Sequence, residues 1–261
     1  MPFVPEVTGN PLFDGLLVGV FLAGAATGLA LLLIVAPYGR HDRPGFGPTL
    51  NTRFAWVMME SPAVLFFAWF FLSGPNALRP APLVLFGAWQ LHYVHRAFIY
   101  PFRIRVREGA RTPAMTALLG ALFCGVNGYL NGAYLSRYAP WLTDATWLVD
   151  PCFVLGLGIF AAGFALNRHS DAILRGLRAA SPGGYRIPYG GGYRLVSCPN
   201  YLGELLEWTG FAIAGWSIAG LAFAFFTAAN LVPRALAHHR WYRETFDDYP
   251  SGRRAVLPYL L

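Results

Sequence analysis

The sequence predicts an all-α integral membrane protein that crosses the bilayer seven times, with its N-terminus outside and its C-terminus in the cytoplasm. Three observations carry that prediction. Apolar residues make up 56% of the 261-residue chain and charged residues only 13%, about half the charge of an ordinary soluble domain. Nearly uncharged runs recur at the length of about 20 residues that a hydrocarbon core requires. The arginines, finally, fall almost entirely into alternate connections.

Taken in order, residues 15–37 form the first span and contain no charge. Residues 56–72 form the second, interrupted only by Glu60. Residues 82–100 form the third and end in the polar cluster His92, Tyr93, His95 and Arg96. The fourth, 112–135, carries Asn127 and Asn131, and the fifth, 147–166, has Asp150 at its outer end. The last apolar stretch, 200–232, is too long for one straight helix. A break at Gly215 to Gly220 divides it into a sixth span over 200–214 and a seventh beginning near Ile218.

All 20 basic residues are arginine. With the N-terminus outside, the inward connections hold 18 of them and the outward ones only Arg79 and Arg137, the asymmetry of the positive-inside rule. The net charge of +7 is therefore read as an orientation signal, with no nucleic-acid partner expected. The start of the chain has no basic segment and carries Glu6 and Asp14 ahead of the first apolar run, which reads against a cleavable signal peptide. Cys124, Cys152 and Cys198 lack metal-ligand spacing and are expected as buried, reduced thiols. Residues 168–199 are expected as the longest connection, an inward loop rich in Gly, Tyr and Arg. Its composition suits either a solvated loop near anionic lipid or a surface for phosphates and rings.

Ionisable side chains at membrane depth are costly and mark function. Glu60 lies near the start of the second span, Tyr93 and its histidine neighbours close the third, and Glu204 and Glu207 share one face at the opening of the sixth. Interfacial placement or favourable placement near a helix N-terminus would also accommodate these carboxylates. His92 with His95, and His238 with His239, look like the histidine boxes of membrane di-iron enzymes. Those boxes use more imidazoles than the six in this chain, so no metal is expected. A transporter would trace polar groups across the bilayer and show paired broken helices, whereas here the polar groups gather at the inner ends of the spans. A basic and aromatic inner surface above a pocket with a Glu and a Tyr suits an enzyme that applies a soluble anionic cofactor to a lipid-soluble substrate. The glycine run near Gly190 is not a Rossmann loop, because no strand precedes it.

The ordered motifs supply a more specific reading. They are NRHSD at 167–171, YRIP at 185–188, NYLGE at 200–204 with Glu207 and Trp208, RALAHHRWY at 234–242 and FDDYP at 246–250. With YGR at 38–40, Glu60 and the HYVHR string at 92–96, they resemble the steroid 5α-reductases over nearly the whole chain. The resemblance implies a single seven-helix domain, 1–261. Residues 1–110 would supply the substrate side, and 160–261 the cofactor-binding part. It implies NADPH as cofactor, a lipophilic steroid-like substrate and reduction of a 3-oxo-Δ4-steroid. By the same resemblance, Tyr93 matches the donor to the substrate carbonyl and Glu60 its carboxyl partner. Asn167, Asp171, Arg178, Tyr185, Arg186, Asn200, Glu204, Glu207, Arg234, His238, Tyr242 and Arg253 match cofactor contacts. A monomer in the membrane, with the cofactor side facing the cytoplasm, is expected.

Two departures bear on substrate identity. Met59 precedes Glu60 where the mammalian steroid enzymes carry Gln, and Ala237 stands where they carry a third consecutive His. Relatives in the wider superfamily act on enoyl thioesters or polyprenols. Membrane methyltransferases share a stretch like 200–204 but place an Arg-His-Pro before it, where this chain has Ser197, Cys198 and Pro199.

Overall fold

The computed structural model describes residues 8–34, 47–104, 109–180 and 184–261. Glu6, the 38–40 motif with Arg40, and His41, Arg43, Arg105 and Arg107 lie outside the described residues. Helix accounts for 77% of the described residues, and strand for almost none of them. In chain order the elements are α1 (Pro11–Leu33), β1 (Thr49–Asn51), α2 (Thr52–Leu72), α3 (Pro80–Val94), α4 (Tyr100–Arg103), β2 (Arg111–Pro113), α5 (Ala114–Ala133), α6 (Pro151–Ala180), α7 (Pro199–Gly215) and α8 (Ile218–Thr245). The strands form one antiparallel pair, Leu50 opposite Thr112, which ties the start of α2 to the start of α5.

Among the described residues, five helices are long and apolar enough to cross a membrane: α1, α2, α5 with its continuation to Tyr138, α6 and α8. The other two expected spans are shorter helices, α3 of 15 residues and α7 of 17. A π-turn, His95–Ile99, carries the α3 backbone on into α4. The outer faces are apolar, with Leu22, Leu29 and Trp69 more than half exposed, as a lipid-facing surface requires.

Local chemistry sets the ends. Asn10 caps α1 by accepting from the N–H groups of Leu12 and Phe13, at 3.1 and 3.2 Å, and Asn51 caps α2 in the same way. Helix α7 stops at Trp216, whose backbone turns left-handed (φ 45°). Ser217 then opens α8 by accepting from Gly220 N at 3.0 Å. The break expected between Gly215 and Gly220 therefore has a defined cause, a helix stop followed at once by an N-cap.

The fifth span differs from expectation. Trp147 belongs to a 3-10 turn, Ala145–Val149, and its indole N–H donates to Ala214 O at 3.0 Å. The helix itself begins at Pro151 and runs 30 residues to Ala180. Asn167, Arg168, Asp171, Arg175 and Arg178 therefore stand on α6, and the inward connection is shorter than the expected 168–199. Polarity alone does not end a helix: the 167–178 stretch contains no proline and keeps apolar Ile173, Leu174 and Leu177 at helical spacing. Helix α2 begins at Thr52, four residues before the expected span, which makes Glu60 its ninth residue. Cys124 and Cys198 are buried, but Cys152 is only partly so.

Contacts order the helix ends. Asn10 donates to Tyr138 Oη at 3.4 Å, Arg137 to Ser73 O at 2.5 Å, and Trp141 to Gly215 O at 3.1 Å. These gather the start of α1, the ends of α2, α5 and α7, and Arg137 at one end of the bundle. The other end holds the start of α2, the end of α3, the start of α7 and the C-terminal segment.

Candidate functional site

At that second end, the helices enclose a cavity of about 420 Å³, within the roughly 300–1,000 Å³ usual for small-molecule sites. Met59 and Glu60 come from α2, Tyr93 from α3, Arg96 from the π-turn after it, Cys124 from α5, Glu204 from α7 and Arg234 from α8. Between them the wall is aromatic: Trp56, Phe123, Trp208 and Phe223.

Spacing on α3 accounts for two of these groups. Trp89, Tyr93 and Arg96 recur every three or four residues and so share a face. Trp89 fixes the register by donating its indole N–H to Ala63 O at 2.9 Å, one residue beyond the internal Pro62 of α2. The Tyr93 ring packs between Trp89 (centroids 4.8 Å) and Trp208 (5.5 Å) and is 4% exposed. The ring is thereby held in place at the cavity wall.

Arg96 joins three helices. Its Nε lies 3.6 Å from Glu60 Oε1 and its Nη2 3.4 Å from Glu204 Oε1. The guanidinium lies over the rings of Trp56 (4.8 Å) and Tyr100 (5.0 Å). Two carboxylates in one dry wall would repel each other, and a cation between them is what makes their approach affordable. The Cys124 thiol donates to Glu60 Oε2 at 3.8 Å.

Glu204 links the cavity to the α6–α7 face. Asn167 Nδ2 donates to Glu204 Oε1 at 3.3 Å and to Asn200 O at 3.0 Å. That approach needs glycine. A Cβ on Gly163 would stand 2.5 Å from Gly203 O and from Glu207 N, and one on Gly203 2.6 Å from Asn167 N, so the two backbones touch as small-residue interfaces in membranes do. One turn beyond Asn167, Asp171 is 4% exposed, with Arg168 Nη1 at 4.0 Å. Arg168 also meets His95 Nδ1 at 2.9 Å. Asp171 Oδ2 and Arg175 Nη1 are buried without hydrogen-bond partners among the described residues.

The C-terminal segment closes the same region. A parallel bridge joins Val196 to Arg254. Arg253 is 4% exposed, its guanidinium lying over Tyr189 (4.9 Å) and Tyr249 (5.2 Å). Its Nη1 has no hydrogen-bond partner among the described residues. Tyr242 stacks on Tyr249 at 5.2 Å, Tyr185 sets its edge against Trp241 at 5.0 Å, and His238 Nε2 meets Tyr201 Oη at 3.2 Å. Burial pushes the nearby Tyr193 phenol well above its ordinary pKa, so it remains a neutral donor.

Of the residues singled out in the sequence, the cavity wall brings together Glu60, Tyr93, Glu204 and Arg234. Asn167, Asp171 and Asn200 stand beside it on α6 and α7. Tyr242 and Arg253 are buried in the C-terminal segment, while Tyr185, Arg178 and Arg186 are exposed. Glu207 turns elsewhere: fully buried, it meets His92 Nδ1 at 2.6 Å. Sequence reasoning did not single out Arg96, Arg175, Tyr189 or Tyr249 as site residues. Arg96 follows Tyr93 by three and Arg175 follows Asp171 by four, helical spacings that place each on its neighbour's face.

A family model described as 3-oxo-5-alpha-steroid 4-dehydrogenase matches residues 110–261. Steroid 5-alpha-reductase DET2 of Arabidopsis thaliana is 40% identical over 260 residues, covering 98% of this chain and 99% of that protein. The 3-oxo-5-alpha-steroid 4-dehydrogenase 1 of Homo sapiens is 42% identical over 226 residues, 85% of each chain. Its counterpart in Macaca fascicularis is 43% identical over 226 residues, covering 85% of this chain and 84% of its own. This chain belongs to the 3-oxo-5-alpha-steroid 4-dehydrogenase family.

Proposed function

We propose that this protein is an NADPH-dependent membrane reductase that saturates the Δ4 double bond of 3-oxo-Δ4-steroids. The observation that carries the reading is the cavity, whose wall sets Tyr93, Glu60 and Arg96 among the aromatic rings of Trp56, Phe123, Trp208 and Phe223. Relatives named for the same reaction along nearly the full chain support the substrate class.

The residues present suit a dinucleotide phosphate. Arg253 and Arg175 each keep a buried guanidinium nitrogen without a hydrogen-bond partner among the described residues. Phosphate oxygens would supply the missing acceptors in the geometry that guanidinium favours. In this reading, Asn167, Asp171, Asn200 and Glu204 order the cofactor's polar groups. Tyr185, Tyr242 and His238 frame it, Arg178 and Arg186 attract it from the inner surface, and Arg234 stands where its site meets the cavity. When bound, NADPH would supply the hydride for the β-carbon of the enone, and a proton taken up at the α-carbon completes the saturation.

Tyr93 stabilises the negative charge that develops on the ketone oxygen by donating its hydroxyl hydrogen bond. A preorganised donor in a dry pocket acts where charge appears and needs no reorganisation. Glu60, its Oε1 3.6 Å from Arg96 Nε, fixes the polar corner in which the carbonyl sits. Glu207 is assigned a supporting part: its contact with His92 anchors the helix turn that presents Tyr93. Met59 forms wall beside Glu60, against Gly120, and contributes apolar selectivity there.

Seven spans, N-terminus outside and C-terminus cytoplasmic, remain our topological assignment. The continuation of α3 through its π-turn into α4, and the gathering of Arg79 and Arg137 away from the other described arginines, support it. The test is NADPH oxidation by purified protein, with product identification, for a 3-oxo-Δ4-steroid, an enoyl thioester and a polyprenal in parallel. Turnover of the steroid alone, yielding the 5α-dihydro product, supports the assignment. Turnover of only the thioester or the polyprenal contradicts it.

A further inference from the structure

Ser197 stands immediately before α7 and is 3% exposed. Its hydroxyl donates to Arg254 O at 3.1 Å, and Tyr249 Oη and His239 Nδ1 each lie 2.6 Å from the same oxygen. With Tyr249 and His239 donating, the hydroxyl's one donor and two acceptor positions are all used. The Ser197 N–H also donates to Arg254 O, at 2.8 Å. One carbonyl is thus held twice by one residue, and that carbonyl follows Arg253 directly in the chain.

Among the described residues, no carboxylate forms an ion pair with Arg253. Its guanidinium rests on the Tyr189 and Tyr249 rings, and Tyr249 is itself fixed by its bond to Ser197 and its stack on Tyr242. A buried cation with an open donor position needs its direction set by backbone and rings until an anion arrives.

We propose that Ser197, His239 and Tyr249 form a latch that positions Arg253 for the cofactor's phosphate. They are positioning residues, and the inference rests on the reading of Arg253 as a cofactor contact. The latch ties three separate segments, the entry to α7, the end of α8 and the C-terminal bridge, to one guanidinium. None of its three residues lines the cavity that holds Tyr93, so its loss is expected to act on cofactor affinity and to leave the reducing step alone.

The test is a double-mutant cycle on NADPH dissociation constants, with kcat at saturating NADPH as a second readout. Losing bonds of this kind in Ser197→Ala or Tyr249→Phe is expected to weaken NADPH binding by about tenfold, with kcat nearly unchanged. Tyr249→Phe keeps the ring beneath Arg253 and is the milder variant if Ser197→Ala folds poorly. In an Arg253→Ala background, Ser197→Ala is expected to add nothing, because coupled residues are non-additive. A full additive loss in that background, or unchanged affinity in both single variants, overturns the latch. If Arg253→Ala itself leaves NADPH affinity unchanged, the cofactor reading of Arg253 falls, and the latch with it. That result is separable from a failure of the latch alone, in which Arg253→Ala still weakens binding.

Discussion

His92 Nδ1 lies 2.6 Å from Glu207 Oε1, and the two side chains are 7% and 0% exposed. The bond joins α3 to α7 one residue before Tyr93, so the Tyr93 ring inherits its position from a helix-to-helix contact beside the cavity, which His92 also lines. Removing one partner leaves the other buried without compensation, which costs about 3–5 kcal/mol when the pair is charged. Glu207→Ala is expected to lower the melting temperature in detergent clearly. Glu207→Gln, which can still hydrogen-bond the imidazole, should lower it much less. Equal melting of the alanine variant and the parent would mean that the contact contributes no stability.

The α6–α7 contact offers a matched pair of substitutions. Gly163→Ala places a Cβ 2.5 Å from backbone atoms of α7, while Gly158→Ala on the same helix meets nothing within 4 Å. Gly163→Ala should destabilise by about 1–3 kcal/mol through overpacking. It should also weaken NADPH binding, because Asn167 is pushed from Glu204. Gly158→Ala should do neither. Thermal unfolding and NADPH titration of both variants decide it, and identical behaviour of the two would count against the close contact.

Much of this architecture was legible from hydropathy. The apolar runs located α1, α2, α5, α7 and α8, and the glycines at 215 and 220 marked the break that Trp216 and Ser217 produce. The α6 extension was hidden because a window of hydropathy reports the membrane and not the helix. The residues from Asn167 onward are polar enough to read as loop, yet their apolar positions keep helical period. Glu60 and Tyr93 stood out because ionisable and hydroxyl groups are rare in apolar runs. Arg96 did not, since an arginine at a span's inner end already had an orientation role. Its link between Glu60 and Glu204 depends on three helices meeting, which no local pattern encodes. The Ser197 cluster was hidden for the same reason, its members lying 42 and 52 residues apart.

Topology is testable by single-cysteine labelling in a variant freed of Cys124, Cys152 and Cys198. Thr143 and Ser251 lie at opposite ends of the bundle. With intact right-side-out vesicles, an impermeant maleimide should label Thr143→Cys from outside and Ser251→Cys only after permeabilisation. Labelling of both from the same side would contradict the seven-span assignment.

In the proposed reaction, the Tyr93 hydroxyl stabilises the developing charge on the ketone and has no part in holding the cofactor. The most direct measurement is kcat for Tyr93→Phe with a 3-oxo-Δ4-steroid, alongside its NADPH dissociation constant. Loss of one preorganised donor should lower kcat about 100- to 1,000-fold while the dissociation constant stays near the parent value. A kcat equal to the parent's would remove Tyr93 from the reaction.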